Sequence, residues 1–421
     1  MTIHTTSEDK KLNALKPAKV EIEETKGAFQ LLVNKEPFFI RGAGLEFGDI
    51  KTLAKHKGNS FRTWRTNNGR RTAREILDEA HKYGLMVCMG LEVGRERHGF
   101  DYNDPNEVNR QLEAIRKEVL QLKDHPALLM WGIGNELNLR YTNAKVWDAV
   151  NDISKMIHEV DPNHLTTTSL SGIFRKEVQC IKERCPDLDV LSFQLYGSLP
   201  ILPKKVRQFG WEGPYIVSEW GATGHWEVPK TSWGAPIEEN STVKAANYLK
   251  RYNAGIGADP EQCIGSYVFL WGNKQERTPT WYGMFLEDGE ETEAVDVMHY
   301  IWNGSWPVHR SPKIDSFILN GKTAYENVIL APNQKYPAIV ETTNYQNNPI
   351  KYRWEVLPES TDLKDGGDYE EKQAAVEGVL KEQDENTVFI KTPAAGKYRL
   401  FVYATDSNKL AATANIPFLV E

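Results

Sequence analysis

The sequence predicts an α/β fold, in which a (β/α)8 barrel over residues 28–309 is followed by a small immunoglobulin-like β-sandwich over residues 310–421. Two observations carry this prediction. Up to residue 306, short apolar segments alternate with amphipathic helical segments, and eight such units make a barrel. After Pro307, strand-like segments follow one another without helices, separated by turn sequences such as Gly366-Gly367.

The eight predicted barrel strands are short apolar segments, at residues 37–42, 60–64, 85–91, 127–134, 165–169, 189–195, 215–219 and 264–271. Amphipathic helices are predicted between them and after the last, at residues 49–57, 72–83, 108–122, 144–160, 172–183, 241–255 and 293–302. A doubly wound open sheet is the alternative. It is disfavoured because residues 41–46 lack the third glycine of a phosphate-binding turn.

The predicted sandwich has six strands, at residues 316–319, 338–342, 351–356, 387–390, 398–403 and 411–420. Trp354 is a predicted core residue of this domain. Its residues carry no evident chemistry. We therefore interpret the domain as a packing module, with carbohydrate binding as the alternative.

The composition argues against some classes of partner but does not indicate the cellular compartment. The net charge is −7 with mixed signs, so a nucleic-acid partner is not expected, and no apolar stretch is long enough to span a membrane. Residues 1–27 form a predicted polar extension without a signal peptide, as in a cytoplasmic protein or a secreted, periplasmic or surface-attached one whose signal was removed. Cys180 and Cys185 could be bridged or free. No cysteine–histidine spacing resembles a zinc site, and no metal or cofactor is predicted.

Two glutamates end buried strands, in Gly134-Asn135-Glu136 on strand four and Ser218-Glu219-Trp220-Gly221 on strand seven. Each could merely cap the next helix. However, the carboxyl ends of barrel strands surround the active site, so both side chains are expected in one mouth. Two carboxyl groups about 5–5.5 Å apart are the acid/base and nucleophile of retaining glycoside hydrolysis. Glu136 and Glu219 are therefore the predicted catalytic pair.

Other strand ends supply predicted substrate-binding or supporting residues. Arg62 could hold a carboxylate ionised, Asn135 could bond a sugar hydroxyl, and the Tyr196 hydroxyl could donate to the nucleophile. Trp271 could stack on a pyranose ring. The alternatives are a structural ion pair for Arg62, a core position for Tyr196 and a packing role for Trp271.

Twelve tryptophans are many for 421 residues, and several fall in predicted strand-end loops where core packing does not explain them. Sugar rings present apolar C–H faces, so such side chains suit a glycan cleft. The residues predicted to line it are Trp64, Trp220, His225 and Trp226, with Tyr102, Tyr141, Trp233 and Trp281 as further aromatic candidates.

These segments resemble those of clan A glycoside hydrolases. The resemblance rests on Gly134-Asn135-Glu136 and Ser218-Glu219-Trp220-Gly221, supported by Asn59-Ser60-Phe61-Arg62 and Trp271. It implies that Glu136 is the acid/base and Glu219 the nucleophile. Residues 38–44 resemble family 2 barrels, whereas a barrel followed by an Ig-like domain is similar to bacterial family 158 endo-β-1,3-glucanases. Residues 62–64 and 80–85 also resemble those of β-1,3-glucan enzymes.

The resemblance implies a retaining hydrolase of an oligosaccharide or polysaccharide, expected to be a laminarin-like β-1,3-glucan. Three alternatives remain open at this level. They are a β-glucan transglycosylase with the same residues, another clan A enzyme acting on mannan or a galactoside, and a non-catalytic glycan-binding barrel.

Overall fold

A computed structural model describes residues 16–421 of the protein. The described chain begins with a three-stranded antiparallel sheet, formed by β1 (Val20–Thr25), β2 (Ala28–Val33) and β3 (Glu36–Pro37). Strand β1 corrects the sequence analysis, which placed these residues in a polar extension. Its exposed glutamates concealed one buried position, Val20, which packs with Leu31 against the barrel interior. The predicted extension before residue 16 lies outside the described residues.

Eight parallel strands then close into a barrel, which confirms the predicted fold class. They are β4 (Ile40–Gly44), β5 (Ser60–Arg62), β6 (Met86–Leu91), β7 (Leu128–Asn135), β8 (Leu165–Ser171), β9 (Val190–Gln194), β10 (Tyr215–Trp220) and β11 (Cys263–Val268). Neighbours in sequence are neighbours in the barrel, and β11 pairs with β4 to close it. The strands are almost wholly buried because side chains fill the barrel inside and helices cover it outside.

The helices are α1 (Ile50–Lys55), α2 (Ala73–Lys82), α3 (Pro105–Leu122), α4 (Lys145–Val160), α5 (Arg175–Arg184), α6 (Leu202–Phe209), α7 (Ser241–Gly255) and α8 (Glu293–Asn303). Their starts follow from local chemistry. Thr72 and Glu75 form a capping box before α2, and Asp104 caps α3, which has a proline in its first turn. Helix α6 was not predicted, because two prolines in a short segment look like a loop.

The C-terminal domain is a sandwich of two sheets. After β12 (Glu291–Thr292), its strands are β13 (Lys313–Leu319), β14 (Val328–Leu330), β15 (Lys335–Thr343), β16 (Lys351–Pro358), β17 (Leu380–Asp384), β18 (Thr387–Lys391), β19 (Gly396–Thr405) and β20 (Leu410–Val420). One sheet has the order β12-β20-β19-β16 with β14 beside β20, and the other has β13-β15-β18-β17. Trp354 is buried in the core between them. Strands β14 and β17 are additional to the six predicted.

The sandwich is attached to the barrel by more than the connecting chain. Strand β12, in the barrel part of the sequence, pairs in parallel with β20. The buried carboxylate of Glu238 accepts hydrogen bonds from the Lys244 ammonium in α7 and from the Asn415 amide in β20, at 2.5 and 2.6 Å. These contacts place the β16–β17 connection at the carboxyl ends of the barrel strands.

All four cysteines are free, which answers the open question about Cys180 and Cys185. None of the helices in residues 16–421 combines the length and apolar character needed to cross a bilayer.

Candidate active site

A cavity of about 1580 Å³ opens at the carboxyl ends of the barrel strands. Glu136 and Glu219 both line it, as predicted from their places at the ends of β7 and β10. Trp64, Asn135, Tyr196, His225 and Trp226 also line this cavity, whereas Arg62 lies beneath it in the barrel interior. The tertiary structure thus brings together residues that are up to 162 positions apart in the chain, from Trp64 to Trp226.

The carboxylate of Glu219 is buried and accepts three hydrogen bonds. One oxygen accepts from the Arg62 guanidinium at 3.1 Å and from the Trp64 indole N–H at 3.0 Å. The other accepts from the Tyr196 hydroxyl at 3.0 Å. Burial keeps the pKa of Tyr196 well above its ordinary value, so this hydroxyl remains a donor. Charge-assisted bonds of this kind stabilise an ionised carboxylate and fix its orientation.

The Asn135 side chain is oriented by two donors. Its amide oxygen accepts from the second Arg62 guanidinium nitrogen at 2.8 Å and from the Gln194 amide at 2.7 Å. The amide nitrogen therefore points away from both donors, and within residues 16–421 it has no hydrogen-bond partner. It is free to donate to a ligand in the cavity. Gln194, the last residue of β9, escaped the sequence analysis because a strand-end glutamine is not a distinctive signal.

Glu136 lies in a different environment. Its φ is +52°, in the left-handed region, and Gly134 two residues earlier has φ +70°. This turn follows β7 and carries the carboxyl group over the cavity, with the Glu136 N–H donating to the Ser169 carbonyl at 2.9 Å. A non-glycine residue with positive φ costs free energy, and such residues cluster at functional sites.

Burial, and after it the negative charge of Glu219, raise the pKa of Glu136 to about 7. The Arg97 and Arg95 guanidinium groups oppose this increase. A carboxyl group with such a pKa is substantially protonated near neutral pH. It can therefore give up a proton, while Glu219 beside it accepts hydrogen bonds from three donors.

Two exposed or cavity-facing aromatic residues lie where the sequence analysis placed them. Trp226 is 57% exposed, and its indole contacts the edges of His225 and Tyr196. Burial lowers the pKa of His225 to about 4, so this imidazole is neutral at pH 7. The open face of Trp226 is available to a planar or sugar-like ligand.

Two other tryptophans that were predicted to bind substrate have no ring face open to the cavity. Trp220 is fully buried against Tyr248 and Tyr252, outside the cavity. Trp271 borders the cavity, but its fully buried ring packs against His56 and Trp302. Neither offers the sugar-stacking surface predicted from sequence, since position at a strand end does not determine which way a side chain turns.

Phe269, two residues before Trp271, also lines the cavity. It lies next to Trp64 and Tyr196, with the Lys274 ammonium 5.6 Å from its ring centre. In the sequence it is one of several aromatic residues near the end of β11, and nothing local distinguished it. No group of three or more His, Cys, Asp or Glu side chains in the described part of the chain is arranged to hold a metal ion.

Residues 41–227 match the family described as "Glycosyl hydrolases family 2, TIM barrel domain". The match begins in β4 and ends just beyond β10, so it includes both glutamates and their strands. This part of the chain is therefore similar to the barrel domain of glycoside hydrolase family 2. The resemblance of the sequence to family 158 gains no support from this match.

Curated relatives agree with this family. A β-galactosidase of Vibrio cholerae is 33% identical over 136 residues, which is 28% of this chain and 12% of that protein. A β-glucuronidase of Chlorocebus aethiops is 24% identical over 224 residues, or 46% of this chain and 32% of its own length. The aligned part of the chain thus spans a third or less of these relatives.

Solved structures share the fold of this chain. A β-glucuronidase of Bifidobacterium dentium superposes on 68% of this chain and 49% of its own, with a TM-score of 0.54 and 20% identity. A β-glucuronidase of Bacteroides uniformis covers 96% of this chain and 48% of its own, with a TM-score of 0.53 and 13% identity. At such identities the likeness describes the fold alone.

Arg62 pairs with Glu219 itself, and three further cations that line the cavity are paired with other acids. The Lys274 ammonium binds Glu276 at 2.8 Å, Arg95 lies 3.5 Å from Asp368, and Arg140 pairs with Asp365. The acid partners Asp365 and Asp368 belong to the sandwich domain, and the sequence analysis did not anticipate them. Lys274, Arg95 and Arg140 therefore already have carboxylate partners.

Proposed function

We propose that this protein is a retaining β-glycoside hydrolase that acts on a β-glucan, with β-1,3 linkages preferred. The observation that carries the proposal is that two carboxyl groups of one cavity have opposite surroundings. Glu219 accepts three hydrogen bonds, one of them from a guanidinium group. The pKa of Glu136 is raised to about 7 by burial and by Glu219. This division suits an acid and a nucleophile.

In the first step, an oxygen of Glu219 attacks the anomeric carbon, and the bond from this carbon to the leaving oxygen breaks. Glu136 transfers its proton to that oxygen, so the leaving group departs as an alcohol. The product is a glycosyl ester of Glu219 with an ionised Glu136. Asn135, whose amide nitrogen has no partner within residues 16–421, would donate to a sugar hydroxyl in this step.

In the second step, Glu136 takes a proton from water, and the water oxygen attacks the anomeric carbon and releases Glu219. The raised pKa of Glu136 supports this change of role. Once esterified, Glu219 is neutral, so its contribution to that pKa disappears and Glu136 ionises more readily. The same carboxyl group can then act as a base.

The ion pairs made by three cations of the cavity support a neutral sugar. A uronic acid needs a cation that is free to pair with its carboxylate. Lys274, Arg95 and Arg140 have carboxylate partners already. This favours a glucoside or another neutral glycoside over the glucuronides named for some relatives.

The exposed aromatic residues of the cavity support a substrate of several sugar units. They lie on different parts of the lining and are more than half exposed: Phe47, Phe174, Trp226 and Tyr369. Each presents an apolar face to solvent, which suits the C–H faces of successive pyranose rings. The preference for β-1,3 linkages rests on the resemblance of residues 62–64 and 80–85 to β-1,3-glucan enzymes.

The decisive experiment is a substrate panel followed by covalent trapping. Laminarin, lichenan, mannan and the aryl β-glucoside, β-galactoside and β-glucuronide are incubated with the protein, and the products are resolved by size. We expect laminarin fragments, and labelling of Glu219 by a 2-deoxy-2-fluoro glucoside, located by peptide mass. Products longer than the substrate would indicate transglycosylation by the same residues.

Each part of the proposal can fail separately. Turnover of mannan or of the galactoside, with laminarin untouched, would overturn the β-glucan assignment and leave the two-glutamate mechanism standing. Binding of glycans without turnover or labelling would overturn the enzyme assignment in favour of a non-catalytic glycan-binding barrel.

A further inference from the structure

The sandwich domain contributes to the wall of the cavity that holds Glu136 and Glu219. Residues 365–370, which we call the sandwich loop, lie between β16 and β17, and all six line the cavity. The sequence analysis read this stretch only as a turn between sandwich strands. The structure instead places it beside the candidate catalytic groups.

The sandwich loop is attached to three different loops of the barrel. Asp368 accepts from Arg97 at 3.3 Å and lies 3.0 Å from the His98 imidazole, both after β6. Asp365 pairs with Arg140, after β7.

After β11, Lys274 donates to the Gly367 carbonyl at 2.7 Å. The Arg277 guanidinium donates to Glu370 at 2.5 Å. Glu370 is 1% exposed, and a buried carboxylate with a direct guanidinium partner belongs to an organised contact between domains.

Gly366 makes the closest approach to the site. A Cβ added there would lie 3.1 Å from the Glu136 carboxyl oxygen Oε2, and 2.8 Å from both Arg97 Nη2 and Leu139 Cδ2. Its φ of +60° also favours glycine. The backbone of the sandwich loop therefore packs directly on the candidate acid/base.

We propose that the sandwich loop is part of the active site, where it positions Glu136 and forms the wall against which the leaving group lies. The proposal rests on the proposed function, since only an acid/base has a leaving group beside it. It assigns the C-terminal domain a role in the hydrolytic site itself. The leaving group contacted there is a sugar, because Tyr369, 80% exposed in the cavity wall, offers a free aromatic face.

The sandwich loop also affects the pKa of Glu136 through its charged side chain Asp368. The charged or titratable groups that face Glu136 are Glu219, Arg95, Arg97 and Tyr196. The two arginines lower the pKa of Glu136, and Asp368 pairs with both of them. Removal of the Asp368 charge should leave the arginines more effective, so the pKa of Glu136 should fall.

The positioning role is tested by Gly366→Ala against Gly378→Ala. Gly378 has φ +71°, so alanine introduces similar backbone strain there, but its added Cβ meets no atom within 4 Å. Laminari-oligosaccharide turnover by Gly366→Ala should fall about 10–100-fold, because displacement of a catalytic group by about 1 Å has that effect. Activated aryl glycosides, which need little acid catalysis, should lose much less. Gly378→Ala should match the wild type.

The electrostatic role is tested by Asp368→Asn against Asp362→Asn. Asp362 lies outside the cavity and binds Lys364 and the Glu371 N–H. Asp368→Asn should move the alkaline limb of the kcat/KM profile to lower pH, whereas Asp362→Asn should leave the profile unchanged. A change in stability alone would not move this limb. Tyr369→Ala should raise KM for oligosaccharides about tenfold.

The outcomes separate the two proposals. If the wild type turns over no glycoside and the fluoro-glucoside labels nothing, the proposed function fails and this inference fails with it. If the wild type is active, but Gly366→Ala keeps full oligosaccharide turnover and Asp368→Asn keeps the wild-type pH profile, only the role of the sandwich loop is overturned.

Discussion

The two glutamates of the cavity are the same residue type, but their surroundings differ in nearly every respect. Glu219 is the penultimate residue of β10 and receives hydrogen bonds from Arg62, Trp64 and Tyr196. Glu136 follows its strand in a left-handed conformation, and its pKa is raised to about 7. Donors surround one carboxylate, whereas burial and a neighbouring negative charge dominate at the other.

This difference suits the acid and nucleophile roles proposed for Glu136 and Glu219. Hydrogen bonds to the charged form stabilise an anion, and desolvation stabilises the neutral form. The two effects act on neighbouring groups without cancelling because the donors belong to β5, the loop after it and the loop after β9. The cations that reach Glu136, Arg95 and Arg97, are shared with Asp368.

Glu219→Gln should produce the largest loss. No second carboxylate occupies the position of the attacking oxygen, so turnover should fall on the order of 10⁵-fold or more. The matched control is Glu276→Gln, another buried carboxylate of the cavity, which binds Lys274 and no catalytic residue. Its loss should be smaller by at least about 100-fold. Comparable losses in the two variants, measured as kcat on an aryl β-glucoside, would contradict the assignment of Glu219.

Glu136→Ala should separate substrates by leaving group. Hydrolysis of oligosaccharides should fall about 10²–10⁴-fold because the leaving oxygen lacks a proton donor, while activated aryl glycosides should lose less in the first step. Azide should partly restore turnover and form a β-glycosyl azide. Equal losses on both substrates without an azide product would assign the acid role to another residue.

The pH dependence of kcat/KM for the wild type should also test the acid role of Glu136. Because the proton donor must be protonated, kcat/KM should decrease as pH rises through about 7, the pKa of Glu136. This pKa should fall in Glu219→Gln, where the neighbouring negative charge is removed. It can be measured by titration of the Glu136 carboxyl with NMR. An unchanged pKa would contradict the coupling between the two groups.

Tyr196→Phe should have a smaller effect than either glutamate substitution. It removes one hydrogen bond to the Glu219 carboxylate, and bonds to charged groups contribute about 1.5–3 kcal/mol. The rate of labelling by the fluoro-glucoside should therefore fall about 10–100-fold. Tyr282→Phe is the control, since this nearby hydroxyl contacts the His225 N–H instead of a glutamate. Equal labelling rates in wild type and Tyr196→Phe would show that Arg62 and Trp64 suffice.

Replacement of Trp226 should weaken substrate binding, whereas replacement of Trp271 should destabilise the fold. Trp226→Ala should raise KM for oligosaccharides about tenfold, or about 1.4 kcal/mol, and leave the melting temperature nearly unchanged. Trp271→Ala should lower the free energy of unfolding by about 3–5 kcal/mol, because it empties a buried site. Thermal unfolding and initial rates of both variants test this. A stable Trp271→Ala variant with weakened binding would restore the stacking role predicted from sequence.

Sequence patterns predicted the barrel and the two glutamates because both depend on local signals. Alternation of apolar strands and amphipathic helices specifies the eight units, and parallel strands bring residues that follow their carboxyl ends to one mouth. The same reasoning found Arg62, Asn135 and Tyr196, whose positions at strand ends determine where they lie. It failed for Trp220 and Trp271, since burial of an aromatic ring depends on neighbours that are distant in sequence.

The sequence by itself therefore determined the fold class of the barrel and the identity of the two carboxyl groups. Only the tertiary structure decided how each carboxyl group is surrounded, which aromatic rings keep a free face and that residues 365–370 of the sandwich reach the cavity. These features depend on contacts between segments separated by many tens to more than two hundred residues, such as Asp368 with Arg97. Hydrogen bonds and desolvation act over a few ångströms in space, and sequence periodicity carries no record of such distances.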